Sequence, residues 1–343
     1  MPTAKLLAPL ALVLFGCDRT MPPVADKIAD GPALNAVAPA TAPASAQHRA
    51  LAAPQAPQLS ALSASPPSPD LPTLSPPGSK LNDDAIHFAV IGDYGLSGPG
   101  EASVAALVKG WKPDFIVTTG DNNYPAGGAD TIDQNIGQYF HEFISPYVGS
   151  AGQGASENRF FPCLGNHDWY TPDALPYLSY FTLPGNERYY DFVKGSVHFF
   201  AVDSDEHEPD GIDKNSRQAL WLKSRLAKSS ARWQVVYFHH APFSSGSFHG
   251  STVIMQWPFE EWGVDLVLTG HEHFYERLQE RGIPYVTIGL GGNAPYDFAA
   301  PLPGSIVRVR GGTGALRVVA NNQRLVSEFV TTDDKVVDTL DLH

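Results

Sequence analysis

Cysteine is almost absent from this sequence, which restricts the kinds of site that the chain can build. Only Cys17 and Cys163 occur among 343 residues, so no disulfide is available within the folded part and a thiolate-based structural zinc site is disfavoured. Cys163 lies in the apolar run 160–164, which predicts a buried small side chain. Any metal site must therefore use oxygen and nitrogen ligands.

Basic residues are also scarce. The chain has 23 Lys and Arg against 36 Asp and Glu, a net charge of −13. Residues 1–79 contain four residues of each sign, so all of this negative charge belongs to residues 80–343. An acidic surface repels polyanions, which argues against nucleic acid as a partner. Phosphate substrates remain compatible with it, because bound metal ions invert the potential locally.

The apolar run near the N-terminus is short. Residues 6–15 follow Lys5 and are too few to span a membrane, so they are typical of a signal-peptide core. The next residues, Leu14-Phe15-Gly16-Cys17, resemble the bacterial lipoprotein box, in which the Cys is lipidated. Phe15 is unusual at its position, so an ordinary cleaved signal peptide remains the alternative. Both interpretations predict export, to the periplasm, to a membrane tether or to the extracellular space.

The composition changes sharply after the first 79 residues. Residues 1–79 hold 15 of the 30 prolines and show no sustained periodicity, so they cannot bury enough apolar surface to offset their chain entropy. We expect residues 1–17 to be the signal peptide and 18–79 to be a disordered Pro/Ala-rich linker. Residues 80–343 are long enough for one large α/β core.

Apolar runs and helical patterns alternate from residue 86 onward. Strands are predicted at 86–91, 114–119, 160–164, 188–193, 196–202, 233–238, 265–268, 283–289, 305–310, 314–320 and 324–330, and helices at 101–111, 131–148 and 219–227. Five of these strands end at Asp, Asn or His residues, often after Gly. In open α/β sheets the ligand site lies beyond the carboxyl ends of the strands. The five polar blocks are therefore expected to form one site.

The side chains of these blocks provide carboxylate, phenol, amide and imidazole groups, which suit iron, manganese or zinc. The blocks are Gly92-Asp93-Tyr94-Gly95, Gly120-Asp121-Asn122-Asn123-Tyr124, Gly165-Asn166-His167-Asp168, His239-His240-Ala241-Pro242 and Gly270-His271-Glu272-His273. Their order resembles the signature of the calcineurin-like metallophosphoesterases. Tyr124, three residues after Asp121, makes the chain most similar to the purple acid phosphatases among them.

The resemblance implies a fold, a pair of metal ions and a set of ligands. The implied fold is an α/β sandwich of two mixed β-sheets flanked by helices, in four αββα layers. The first ion, usually Fe(III), would be held by Asp93, Asp121, Tyr124 and His273. The second ion, iron, zinc or manganese, would share Asp121 and be completed by Asn166, His240 and His271. In this family the phenolate–Fe(III) pair also gives a violet colour.

The block at residues 239–242 leaves one ligand undecided. A His-x-Pro pattern selects His240, whereas counting from Val236 by a Val-x-x-His spacing selects His239. We choose His240, because the proline is the firmer marker.

Three further residues are expected near the substrate: His167 as a phosphate contact or proton donor, Asp168 as its hydrogen-bond partner, and His249, in a Ser/Gly-rich loop, as a further acid or phosphate contact.

The expected function is hydrolysis of small phosphate monoesters, by attack of a metal-bound hydroxide on phosphorus. A phosphodiesterase or pyrophosphatase built on the same centre is an alternative. A non-catalytic, tethered protein that binds phosphate or metal is an alternative of another class. It predicts the loss of a ligand or of an acid histidine, and none is missing from the sequence.

Overall fold

The computed structural model describes residues 84–343. Its strands are β1 (Ile86–Ile91), β2 (Phe115–Thr118), β3 (Phe160–Pro162), β4 (Tyr190–Lys194), β5 (Val197–Ala201), β6 (Trp233–His240), β7 (Leu266–Gly270), β8 (Tyr275–Glu280), β9 (Ile283–Ile288), β10 (Ser305–Val309), β11 (Gly314–Ala320), β12 (Leu325–Thr331) and β13 (Val336–Leu342). Its α-helices are α1 (Pro99–Gly110), α2 (Gln138–Phe140), α3 (Asn166–Trp169), α4 (Leu175–Tyr180) and α5 (Arg217–Leu226).

The strands form two mixed sheets. The first has six strands in the order β13-β12-β11-β1-β2-β3, and the second has seven in the order β10-β8-β9-β7-β6-β5-β4. In the first sheet β1, β2 and β3 run parallel, and in the second β5, β6, β7 and β9 do so. Antiparallel strands complete both sheets. The predicted fold class, two mixed β-sheets flanked by helices, is confirmed.

The main core lies between the two sheets. The ring of Phe88, on β1, meets the ring of Phe199, on β5, edge to face at 5.0 Å. Side chains alternate along each strand, so the neighbouring Phe200 belongs to a second core on the outer face, with Leu222 of α5. Helix α5 begins at Ser216, whose hydroxyl accepts a hydrogen bond from the Ala219 amide at 3.1 Å.

One predicted helix is wrong in extent. In place of a helix over 131–148 the chain forms a π-helical turn (Asp133–Gly137), the short α2 and a 3-10 turn that ends at Phe143. Pro146, which cannot donate a backbone hydrogen bond, follows this end closely. Ile144 is already extended, so the helical conformation has ended before this proline. Strands β8 and β13 were missing from the prediction.

The predictions for the N-terminal part concern residues outside the described range. The signal peptide (1–17) and the linker (18–79) lie entirely before residue 84, so they stay predictions. Within residues 84–343 no helix combines the length and the apolar character needed to cross a membrane. Cys163 is buried, as predicted.

Candidate metal centre

The predicted ligand residues follow the ends of strands from both sheets. Asp93 comes after β1, Asp121 after β2 and Asn166 after β3, while β6 ends at His240 and β7 ends just before His271. Asp93, Asp121 and His271 have backbone φ angles of 54°, 52° and 69°. Residues other than glycine rarely adopt this left-handed conformation, and functional sites are among the places where they do. The turns aim short side chains into one pocket.

Two glycines allow these turns to approach one another. A Cβ atom on Gly270 would lie 2.6 Å from an Asp93 carboxylate oxygen, and one on Gly165 would collide with the backbone nitrogen of Asp121. Only glycine therefore fits at either position without displacing a ligand residue. Gly165 and Gly270 directly precede Asn166 and His271 in the sequence, and this is their steric role.

A first group of donor atoms surrounds the hydroxyl of Tyr124. This oxygen lies 2.7 Å from Oδ2 of Asp121, 3.2 Å from Nε2 of His273 and 3.4 Å from Oδ1 of Asp93. All four side chains are buried. The four residues that the sequence assigns to the first ion are thus together.

A second group of donor atoms surrounds Nε2 of His239. This nitrogen lies 3.1 Å from Oδ1 of Asn166, 3.1 Å from Nδ1 of His271 and 3.4 Å from Oδ1 of Asp121. Asp121 therefore faces the first group with one carboxylate oxygen and the second group with the other. This is the arrangement that a carboxylate bridging two ions requires.

Both histidines of this block reach the second group. Ligand atoms of His239, of the predicted His240 and of His271 lie within 4.8 Å of one another, and His239 also forms such a group with Asp93 and Asp121. Between Tyr237 and His240 strand β6 advances three residues while β7 advances two, from Leu268 to Gly270. This β-bulge puts one extra residue between Val236 and Pro242, the two residues from which the sequence patterns count. Nδ1 of His240 lies 2.9 Å from the Ser204 hydroxyl, which leaves Nε2 of that ring free. His240 remains at the edge of the pocket, with its ring 4.4 Å from that of His271.

Backbone carbonyl groups orient two of the histidines. Nδ1 of His239 lies 2.8 Å from the Thr119 carbonyl, and Nδ1 of His273 lies 2.8 Å from the Ala294 carbonyl. A protonated Nδ1 donates each bond, which leaves Nε2 free to bind a cation. Partners of this kind fix the tautomer and ring position of metal-binding histidines.

Comparisons with known proteins agree with this geometry. The model of the calcineurin-like phosphoesterase family matches residues 86–275. "Purple acid phosphatase 17" of Arabidopsis thaliana is 30% identical over 247 residues, which cover 62% of this chain and 70% of that protein. "Purple acid phosphatase 7" of the same plant is 28% identical over 264 residues, 67% of this chain and 77% of the relative.

The chain belongs to the calcineurin-like phosphoesterases, in their purple acid phosphatase branch. It is a metal-dependent phosphoric ester hydrolase, as predicted.

Solved structures show the same fold. The purple acid phosphatase PPD1 of yellow lupin (Lupinus luteus) aligns with a TM-score of 0.62 at 18% identity, over 75% of this chain and 53% of that one. GAP50, described as the anchor in the inner membrane complex of Plasmodium, aligns with a TM-score of 0.61 at 20% identity, over 76% of this chain and 89% of that one.

The electrostatics of this phosphoesterase centre indicate that a cation belongs there. Burial, together with the carboxylates of Asp121 and Asp93, raises the pKa of the Tyr124 phenol well above 10. Burial lowers the pKa of His239, but the same carboxylates outweigh that effect and raise it overall. Among residues 84–343 no lysine or arginine pairs with either carboxylate. Two buried acids with only histidines as basic partners are costly, and a bound metal ion would remove that cost.

His167 lies at the rim of the centre, as expected. Its backbone amide donates to Oδ1 of Asp121 at 3.0 Å, and its ring lies 4.3 Å from that of Tyr124. The expected hydrogen bond from Asp168 is absent: Nδ1 of His167 instead lies 2.6 Å from the Pro125 carbonyl. The ring is therefore held in place by a backbone group.

Asp168 has a different role from the one predicted. It is buried and accepts hydrogen bonds from the Gly165 amide at 2.9 Å and from the Asn122 side chain at 2.8 Å. It forms the first turn of α3 together with His167, so its side chain points back towards the amides at the start of that helix and cannot reach the imidazole. Burial and the nearby Asp121 raise its pKa to about 7.

His249 reaches the centre from a separate loop. Its ring lies 3.9 Å from that of His271. Burial, with the neighbouring His273, lowers its pKa. Glu272 secures this loop, because its carboxylate accepts hydrogen bonds from the Gly250 amide at 2.6 Å and from the Ser244 hydroxyl at 3.2 Å. The prediction that His249 lies near the site fits this position.

Sequence reasoning missed two aromatic residues beside the ligands. Tyr296 stacks on His273 with ring centres 4.0 Å apart, and the hydroxyl of Tyr170 accepts a hydrogen bond from Nδ2 of Asn166 at 3.1 Å. Tyr170 follows Asn166 by four residues, directly after the end of α3, so this spacing of one helical turn was a usable signal. Tyr296 carried no local signal, because it reaches the site through a loop more than twenty residues beyond His273.

Proposed function

We propose that this chain is an exported phosphatase that hydrolyses phosphate monoesters at a centre of two metal ions. The observation that carries the proposal is the position of Asp121, whose two carboxylate oxygens face two separate donor groups. A single-ion site would have no use for the second group. The two groups together contain only oxygen and nitrogen donors, which suit iron, zinc and manganese.

The donor atoms suggest which residues hold each ion. Phenol and carboxylate oxygens are hard, anionic ligands, so Fe(III) is proposed at the first group, formed by Asp93, Asp121, Tyr124 and His273. A divalent ion (iron, zinc or manganese) is proposed at the second group, formed by Asp121, Asn166, His239 and His271. Such a pair would supply Lewis acidity towards phosphate oxygens and activate a water molecule as nucleophile.

The histidines around the centre would bind and orient the substrate. His167 and His249 lie on separate loops, against Tyr124 and His271 respectively. Each ring is held by its surroundings and has a nitrogen available for an oxygen of the phosphate group. Donors fixed before the substrate arrives stabilise developing charge without reorganising. One of them would also protonate the departing alcohol oxygen.

A monoester is preferred as substrate over a diester. Residues 84–343 form one pair of sheets, and no additional domain lies over the centre to hold a second ester group. The test compares rates on p-nitrophenyl phosphate and bis(p-nitrophenyl) phosphate with the metal-loaded protein. We expect clearly faster hydrolysis of the monoester. An equal or faster rate on the diester would favour the phosphodiesterase alternative, and Asn166→Ala serves as control because it should abolish both rates.

Export and domain organisation also remain part of the proposal. The support is the composition of residues 1–79: a basic residue and an apolar run, then a segment rich in proline and alanine. The catalytic domain would comprise residues 80–343. No observation favours the non-catalytic alternative, since every donor position has its residue.

A further inference from the structure

We propose that the site contains an aromatic subsite, which selects phosphate esters whose leaving group carries a flat aromatic ring. One part of the subsite consists of Phe248 and Tyr296, here called the aromatic wall. The other part is Tyr170, which lies beside Asn166, a proposed ligand of the second ion. The inference rests on the proposed phosphatase function, because it concerns the part of the substrate that departs. It adds a class of substrate to that function.

Exposed rings continue the aromatic packing that begins at the ligands. Tyr296 stacks on His273 at an interplanar angle of 12°. The ring of Phe248 lies 4.9 Å from that of Tyr296 and is 70% exposed. Tyr170, 59% exposed, lies 4.8 Å from His167. Single exposed apolar side chains are common on proteins, but Phe248 and Tyr170 lie against His249 and His167, two of the residues that surround the centre.

The aromatic wall is fixed by its backbone. The Ser247 amide and hydroxyl both donate to the Asp297 carbonyl, at 2.9 and 2.8 Å. The Ala299 amide donates to the Ser245 carbonyl at 2.8 Å. These bonds join the loop that carries Phe248 to the loop that carries Tyr296. A surface ordered in advance loses less entropy when it binds a ligand.

The Tyr296 loop is also tied directly to the centre. The Tyr296 amide donates to the His273 carbonyl at 3.0 Å, so the aromatic wall keeps a constant distance from a proposed ligand of the first ion. A phosphate group at the centre would therefore place its ester substituent at a defined position relative to the two rings.

The charges around the aromatic wall point to a ring rather than to further phosphate groups. Arg310 forms a salt bridge with Asp297 at 2.7 Å, and Arg308 lies over the Phe298 ring at 5.1 Å. Both guanidinium groups are thus engaged with the Tyr296 loop itself. Stacking on an aromatic face tolerates many ring types, so aryl groups and nucleobases share the chemistry that this surface recognises.

The test uses two phosphonates that differ only in the flatness of a ring. 3-Phenylpropylphosphonate and 3-cyclohexylpropylphosphonate have the same linker and are not hydrolysed, so calorimetry on the metal-loaded full chain measures binding alone. We expect the phenyl compound to bind about 2- to 10-fold more tightly, as aromatic pairs contribute in proteins. Equal affinities in this pair, together with no preference for the ring in the nucleotide pair below, would overturn the inference.

Variants of Phe248 separate ring recognition from general hydrophobicity. Phe248→Trp should keep the preference for phenyl, whereas Phe248→Leu should lose most of it, because leucine is apolar but has no flat face. Val193→Ala is the matched control: Val193 is 56% exposed and lies next to the hairpin that joins β4 and β5, away from the ligand residues. An unchanged preference in Phe248→Leu would contradict the aromatic wall.

A second pair distinguishes the two sources of the ring. Inhibition by adenosine 5′-monophosphate is compared with inhibition by ribose 5-phosphate. A preference for the ring in this pair alone assigns the subsite to nucleotides. A preference in the phenyl pair alone assigns it to aryl esters, and the absence of a preference in both pairs overturns the inference. Hydrolysis of the matching phosphates is measured separately: no turnover with a retained ring preference would contradict the phosphatase function and not the subsite.

Discussion

At the residue scale, the centre depends most on Asp121. Its two carboxylate oxygens face different donor groups, and its backbone adopts the left-handed conformation at φ 52°. Such a conformation costs about 1–3 kcal/mol and persists where the surroundings enforce it. Here Gly165 packs against its backbone, and the His167 amide donates to its side chain. The strain is therefore located at the residue with the greatest number of functional contacts.

A pair of histidine variants tests the ligand assignment at the second group. His239→Ala should release the second ion and nearly abolish turnover, because it removes the ring that faces Asn166, His271 and Asp121. His240→Ala should keep both ions, since it is the ring of His239 that lies next to the Asp93 and Asp121 carboxylates, while His240 bonds to Ser204. Metal analysis of the purified variants is the measurement. Loss of the second ion in His240→Ala, with retention in His239→Ala, would restore the choice made from the sequence.

The phenol of Tyr124 gives a spectroscopic prediction. A phenolate bound to Fe(III) absorbs in the visible region, so the iron-loaded protein should be coloured and Tyr124→Phe should lose the band. The substitution retains the ring and its packing, and any change reports the missing oxygen. Tyr94→Phe is the matched control, because Tyr94 is equally buried but bonds to Asn122 at 3.0 Å. A colourless wild-type protein loaded with Fe(III), or an unchanged band in the Phe variant, would show that Tyr124 is not a ligand.

At the element scale, the parallel strands were predictable and the interruptions were not. The parallel strands are mostly apolar runs, and β1, β2, β3, β6 and β7 each lead into a polar block, a pattern that needs no tertiary information. The bulge in β6 left no mark in the sequence beyond the conflict between two spacing rules. The turns at 133–143 have helical periodicity, and only packing and the following proline decide where they end. The choice between His239 and His240 depended on this unpredictable feature.

Helix α1 carries a buried acid that gives a pH-dependent prediction. Burial raises the pKa of Glu101 from 4.5 to about 10, and neither carboxylate oxygen has a hydrogen-bond partner among the described residues. The folded protein thus retains a proton that the unfolded chain releases above pH 4.5. The free energy of unfolding is therefore unaffected by Glu101 below pH 4.5, and it decreases as the pH rises from there towards 10. Between pH 5 and 8 the loss should approach about 4 kcal/mol at most.

Glu101→Gln should remove this pH dependence, because the amide remains neutral in both states. Urea unfolding at pH 5 and pH 8 is the measurement, and the variant should lose less stability over that interval than the wild type. Glu206→Gln, at an exposed position, is the control for loss of one negative charge. Parallel curves for the wild type and Glu101→Gln would mean that Glu101 is ionised in the folded protein.

At the scale of the whole molecule, the site forms where strand ends of two sheets meet. Asp93, Asp121 and Asn166 come from the first sheet, and His239 and His271 come from the second. The sequence predicted this convergence because the polar blocks keep the order and character of a known family. It did not predict the aromatic wall, because Phe248 and Tyr296 are brought together by hydrogen bonds between loops far apart in the chain.

The central claim is that two metal ions, bridged by the carboxylate of Asp121, make this chain a phosphatase. The most direct measurement is a titration of the metal-stripped protein with Fe(III) and then a divalent ion, followed by phosphate release from p-nitrophenyl phosphate. The account predicts that activity appears as the second ion binds and reaches its maximum at two ions per chain. Turnover by the metal-free protein, or a maximum at one ion per chain, would contradict it.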